Sequence, residues 1–346
     1  MNAMPVERCI RAAQGRKLRL SAFALLVTLA AQITMADSGH AEARHATGTS
    51  MPLERSCDRA CLYRVLDGYL EALRHQDPWR LNWSKEAVAT ENNVMLQIGD
   101  GLWGSITRLE AYDLRLADPV TGQVAMFGAV DESGAVSPLV VRLEVRDGAI
   151  VRTETLVRRK ASDPRIMAEP VFERKPVFDE TIAAQDRLPR ERLVSIANGY
   201  FDTLQLNDGT LFTQFDKDCN RVENGVQTTN NPALKSLGIS MTMGCEEQFK
   251  KGFFRYDDRL RDRRFLLIDE ERGLVLASAL MDHAGRLRTY RLTDGTMAES
   301  HYLAPHSYYM FELFKLSAQG RIRQIEADFV TVPYNMPLAG MRNRGR

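Results

Sequence analysis

The chain has 346 residues, 44% hydrophobic and 26% charged, an ordinary balance for a globular protein with room for two domains. Its formal charge of +1 excludes a polyanion partner held by excess positive charge, so no nucleic acid is expected. The charge is uneven: residues 1–36 carry Arg8, Arg11, Arg16, Lys17 and Arg19 against Glu7 alone, and without them acidic side chains outnumber basic ones.

That basic stretch leads into an apolar run from Leu20 to Ala36, with small residues at cleavage-compatible spacing, Thr34-Met35-Ala36 or Ala41-Glu42-Ala43. This is the three-part form of a secretory signal. Residues 1–36 are therefore expected to be a removed leader and 37–56 a flexible mature N-terminus, with the protein exported to a periplasm or secreted. The rival is an uncleaved anchor, but the run includes Thr28, Gln32 and Thr34 and is marginal for spanning a bilayer. No other segment is apolar enough to cross a membrane. Apart from Cys9, which precedes the run, the cysteines are Cys57, Cys61, Cys219 and Cys245, and an even number in an oxidising compartment favours disulfides. Three connectivities are open; the division into halves below favours Cys57–Cys61 and Cys219–Cys245. A zinc site is the rival reading, and no His stands at ligand-like spacing from either pair.

The mature part repeats itself. Residues 65–77, VLDGYLEALRHQD, and 196–208, IANGYFDTLQLND, share Gly-Tyr and a later Asp at one spacing, giving Tyr69/Asp77 and Tyr200/Asp208. Apolar residues at helical intervals make each an amphipathic helix stopped by a polar turn. Ala89-Thr90-Glu91-Asn92 then answers Arg221-Val222-Glu223-Asn224, DPVTGQVAMFGAVDESG (118–134) answers DEERGLVLASALMDHAG (269–285), and Gly148–Glu154 answers Gly320–Glu326. Gly99-Asp100-Gly101 reads as a turn and Trp103 as a core anchor. Pro138–Val145 and Tyr308–Leu316 read as strands ended by turn signals. Segment 159–189, with Pro164, Pro170, Pro176 and Pro189, is the linker, and 336–346 a loose tail. The second copy carries an insertion at about Asn230 to Phe249. The expected class is α+β: two tandem units over 57–158 and 190–335, each a helix closing on a curved antiparallel sheet.

This helix-first unit resembles the NTF2-like (SnoaL-like) cone fold over both copies. The phrases CDRACL, GDGLWG, DCNRVENGVQTTNN and RDRRFLLIDEERG also resemble a family of exported fungal and bacterial proteins carrying a domain of unknown function (DUF8021); that likeness implies architecture and no activity. The NTF2-like resemblance extends to ketosteroid isomerases, which pair a helix Tyr and a protonated late-strand acid as hydrogen-bond donors to a developing enolate, with an Asp base on the first strand. Their spacing places Tyr200 and Glu312 at the two donor positions. It puts Asn224, which takes no proton at neutral pH, where the base belongs. Glu223, or failing it His306, is then the substitute base; a regular strand would turn Glu223 to the opposite face, and a bulge or the adjacent Gly225 could re-aim it. Arg221 and His306 complete the candidate substrate-binding set with Asn224. The first copy keeps Tyr69 but has Asn92 and Val140 at the other two positions.

Blander readings stand beside these. Tyr200 is also a core ring in non-catalytic cones, Glu312 faces either solvent or pocket, and Asp218, Arg221 and Glu223 form an ion-pair cluster near a disulfide. Asp282-His283 before Gly285 reads as an exposed turn, His301 and His306 as a weak metal pair, and Arg259, Arg261, Arg263 and Arg264 as a solvated strand edge. No nucleotide fingerprint, paired metal spacing or Gly-x-Ser-x-Gly elbow is present, so no cofactor or metal is expected. Two functions remain: a cofactor-independent isomerase, lyase or hydrolase acting on a mostly apolar small molecule, or a non-catalytic exported module for small-molecule binding or interaction. A cavity uniting Tyr200, Asn224 and Glu312 favours the first, and a filled cone favours the second.

Overall fold

The computed structural model describes residues 57–160, 168–300 and 302–340. The expected leader and flexible start lie outside the described residues, as do 161–167, His301 and 341–346. The first half runs α1 (Arg59–Arg74), β1 (Trp83–Glu91), β2 (Val94–Leu96), α2 (Leu102–Ser105), β3 (Arg108–Asp118), β4 (Gln123–Glu132), β5 (Ala135–Arg146) and β6 (Ala149–Val157). The second half runs α3 (Arg190–Leu206), β7 (Phe215–Glu223), β8 (Val226–Gln227), α4 (Cys245–Lys251), β9 (Arg259–Asp269) and β10 (Leu274–His283). After a small hairpin of β11 (Thr289–Arg291) and β12 (Met297–Glu299), it ends with β13 (His306–Leu316) and β14 (Ile322–Val332).

The sheet orders are β2-β1-β6-β5-β4-β3 and β8-β7-β14-β13-β10-β9, one order written twice. In each, the first long strand lies parallel to the last while the other pairs are antiparallel. The class is thus α+β, with two tandem units of one topology, each a helix packed on a mixed six-stranded sheet. The duplication is physical as well as textual. Asp58 caps α1 by accepting the Cys61 N–H at 2.8 Å, and Leu62, Leu66, Tyr69 and Leu73 then lie on the buried face. Gly122 and Gly273, matched in the sequence, both take positive φ, and a Cβ there would stand 2.3 Å from the Val145 carbonyl oxygen and 2.7 Å from that of Leu316.

Each helix covers one face of its sheet, and the other two faces pack on each other. Leu114, Leu116, Phe127 and Val140 of the first half meet Leu276, Tyr309, Phe311 and Leu313 of the second in a single apolar cluster. Strands β4 and β13 are therefore buried on both faces. Polar ties cross the junction reciprocally. Arg59, the first residue of α1, binds Asp269, the last of β9, at 2.6 Å. Arg190, the first residue of α3, binds Asp118, the last of β3, at 2.5 Å.

Three expectations need correction. The second half has a further insertion between β10 and β13 that carries the small hairpin, so Gly285 does not close a tight turn. The tail is not loose as far as residue 340: Leu338 is buried, and the Asn93 side chain donates to the Pro337 carbonyl and accepts from the Ala339 N–H. The first-half counterpart of Glu312 is Val141, not Val140. Leu316 pairs with Ile322 where Val145 pairs with Ile150, so the second-half turn is longer and counting back from its glycine slips the register.

Candidate functional site

The inner face of the second cone holds the residues singled out by sequence. Ala277, Glu312, Ala327 and Glu223 are successive partners across β10, β13, β14 and β7. Glu312 thus has an alanine on either side, and the Tyr200 hydroxyl from α3 hydrogen-bonds to it. Burial raises the Glu312 carboxyl to about 8, against the opposing pull of that hydrogen bond and of the Arg221 charge. Burial likewise pushes the Tyr200 hydroxyl well above its ordinary range. Arg221 donates to Gln248 Oε1 at 2.7 Å, and its Nε lies 3.4 Å from Glu223 Oε1.

Glu223 therefore faces the cluster, against the expectation that it would turn away. It is the last residue of β7, and the chain leaves the strand at Asn224, whose φ is 50°. Asn224 does not join the cluster. Its Oδ1 accepts the Phe329 N–H at 2.9 Å, as Asn92 Oδ1 accepts that of Val157 in the first half, so both asparagines clip a hairpin turn to the neighbouring parallel strand. Asp218 is exposed on the opposite side.

The cone is filled at this point. Tyr200 and Glu312 are each 1% exposed. The Tyr200 ring packs edge-on against Phe201, Phe215, Phe249 and Phe314, with centroids 5.0–6.4 Å apart, and the Arg221 guanidinium lies 4.9 Å from the Phe254 ring centre. One oxygen of Glu312 has no hydrogen-bond partner among the described residues. In the first cone about 20 Å³ remains beside Tyr69.

His306 stands apart from Tyr200 in a second inner group. Its ring stacks on His283 at 4.6 Å, and His283 Nε2 lies 2.7 Å from Asp257 Oδ1. His283 is thus buried, not an exposed turn residue, because β10 continues through it and pairs it with His306. The arginines of β9 do lie on an edge strand, yet they are engaged: Arg259 and Arg261 with Asp282, Arg263 with Asp202, Arg264 with Glu154. Both expected disulfides form, with Cα separations of 5.2 Å for Cys57–Cys61 and 5.7 Å for Cys219–Cys245. The first is feasible because α1 begins between its cysteines.

An open cavity lies elsewhere. A cleft of about 370 Å³ opens between the halves, with Tyr112 and Pro138 from the first, Phe172 from the linker, and Leu234, Glu326 and Asp328 from the second. The Tyr112 hydroxyl hydrogen-bonds to Glu326 Oε1. Burial raises Glu326 to about 7 and, with the Glu326 charge added, holds Asp328 well above the usual carboxylate range.

Residues 186–329 match a family described as a domain of unknown function (DUF8021). No curated protein matches the chain in sequence. Among solved structures, AclR of Streptomyces galilaeus is 15% identical over 30% of this chain and 82% of its own, with a TM-score of 0.25. An NTF-2 like protein of unknown function from Burkholderia xenovorans LB400 is 11% identical over 28% and 81%, at 0.21. A chain of the C. albicans Mtr2–Mex67 M domain complex is 14% identical over 42% and 99%, at 0.26.

Sequence reasoning passed over Glu326 and Asp328. The available signal was two acids, two residues apart, in the mostly apolar run Ile325–Val332: alternation puts both on one face of a strand that had to be buried.

Proposed function

We propose that this protein is an exported small-molecule-binding module whose ligand seats in the cleft between its halves. The observation that carries the reading is the contrast between an open cleft of about 370 Å³ and second-cone residues sealed under phenylalanine rings. The cleft volume is that of a small-molecule site. Export is supported by the basic-then-apolar leader pattern and by two disulfides, which persist in oxidising compartments. Among the described residues no helix is long and apolar enough to cross a membrane. The test is to purify the exported chain, extract what it carries and identify it by mass spectrometry. Leu234→Trp, which puts an indole into the cleft, should lose that compound at unchanged stability; equal recovery from both proteins refutes the cleft.

One observation favours a second reading, cofactor-independent isomerase, lyase or hydrolase chemistry in the second cone. Glu312 holds its proton at neutral pH beside Tyr200, with Arg221 and Glu223 adjacent, and such neutral donors suit a developing oxyanion. It requires the surrounding rings to move aside. If the extracted compound is turned over, Tyr200→Phe and Glu312→Gln should each slow that turnover by about 1–3 kcal/mol of barrier. Unchanged rates at unchanged stability remove this reading.

A further inference from the structure

We propose that the cleft takes a small organic cation, its ammonium or guanidinium group held by Asp328 and Glu326 and its apolar body by Tyr112 and Phe172. This rests on the cleft reading above and names the ligand's chemistry.

The duplication supplies an internal control. Glu154 in β6 and Glu326 in β14 occupy matched positions on the faces where the two sheets meet. Glu154 is neutralised twice, by Arg142 of the paired strand at 3.2 Å and by Arg264 of the other half at 2.7 Å. The residue paired with Glu326 in place of Arg142 is Leu313. Two residues on, buried Leu156 of the first half is replaced by Asp328. The second half thus has one more buried acid and one fewer guanidinium than the arrangement it duplicates.

The cleft is where that imbalance faces. Asp328 is 4% exposed, lines the cavity, and receives no hydrogen bond or ion pair from any described residue. Among the described residues only Oε1 of Glu326 is engaged, by Tyr112. The neighbouring cations do not close the gap. Lys175 is held by Glu173 at 2.8 Å and Arg174 by Asp179 and the Asp113 carbonyl, and the Arg158 charge opposes the burial of Asp328 without offsetting it. Glu169, at the rim, pairs with Lys160. The Tyr112 and Phe172 rings, 6.1 Å apart, form an aromatic wall beside the acids, a setting that attracts organic cations. Among the described residues no three His, Cys, Asp or Glu side chains are grouped to hold a metal ion, so an organic cation fits better than a metal.

Protonation gives the proposal a second signature. In an empty cleft burial favours the neutral form of both acids, bringing Glu326 to about 7, and a bound cation draws them to ionise and release protons. Affinity therefore rises with pH through about 7, by up to tenfold per unit below it for one linked proton.

The experiment is calorimetric titration of the mature disulfide-bonded chain with phenethylammonium, its neutral analogue 2-phenylethanol and its anionic analogue phenylacetate, at pH 6 and pH 8. Phenethylammonium should bind, more tightly at pH 8, and the analogues at least tenfold more weakly. Asp328→Asn and Glu326→Gln, each close in shape to the neutral acid, should each weaken the ammonium at least tenfold and flatten its pH dependence. No ammonium binding at millimolar concentration, equal binding of the alcohol, or unchanged affinity in both variants overturns the proposal. Leu234→Trp separates the two claims. A neutral or anionic compound that it excludes leaves the cleft standing without the cation, while phenethylammonium binding that it does not disturb removes both.

Discussion

Replacing Glu312 by Gln should change how stability responds to pH more than it changes stability itself. Gln keeps the side-chain shape and an acceptor for the Tyr200 hydroxyl, and it cannot ionise. In the wild type the folded protein holds the Glu312 proton up to about 8, whereas the unfolded chain releases it near 4.5. A raised acid gives stability that is fully present below the unfolded value and lost as pH climbs through the folded one. At about 1.4 kcal/mol per pH unit, the interval from 4.5 to about 8 amounts to a loss on the order of 4–5 kcal/mol. Urea unfolding of both proteins between pH 5 and pH 9, disulfides intact, measures it. Glu326, Asp328 and Asp257 are also raised, but they slope both curves alike and cancel in the difference. The variant should match the wild type near pH 5 and exceed it by several kcal/mol near pH 9. A constant difference across the range would mean that Glu312 is ionised against Arg221 throughout, and the argument from burial would be wrong.

Asn224→Ala should destabilise by about 2 kcal/mol, from the lost bond to the Phe329 N–H and the left-handed turn, while ligand affinity stays unchanged; urea midpoints and a binding titration check both. Arg190→Met should cost about 3–5 kcal/mol by stranding buried Asp118, whereas Arg59→Met should cost less because Asp269 keeps Arg272 at 2.9 Å; a double-mutant cycle with Asp118→Asn tests the first pair. Peptide mapping of the non-reduced protein should join Cys219 to Cys245, and removing that bridge should lower stability by about 3 kcal/mol.

Much of the fold was legible because the repeat exposes backbone requirements. The matched Asp-x-x-x-Gly of 118–122 and 269–273 marks an acid that answers an arginine of the other half and a glycine with a carbonyl where its Cβ would be. Tyr200 and Glu312 were found by spacing, and the packing of α3 on the sheet brings them together. Failures came where a local signal met a tertiary one. The strand ends at Glu223 and the chain turns at Asn224, so Glu223 and not Asn224 shares the inner face with Arg221. Gly285 read as a hairpin turn, but the inserted segment brings Tyr302 over His283 and buries it. Whether a cone is full or hollow is not written in any spacing. It depends on rings as distant as Phe249 and Phe314 converging on one tyrosine.

The crossed arginine–aspartate ties have a consequence for what the cleft can become. Two separate copies of one cone, joined by the same ties, would obey a two-fold axis, and every residue near that axis would appear on both sides. An acid deprived of its arginine would then be deprived twice, doubling the burden of uncompensated charge at one interface. A covalent link lifts that rule, since it supplies the partner at high effective concentration and lets the sides diverge. Here one side keeps Arg142 against Glu154 while the other has Leu313 against Glu326. The fused pair can thus hold a single lopsided seat at its junction, stabilised by the intact half, where a symmetric assembly would carry two.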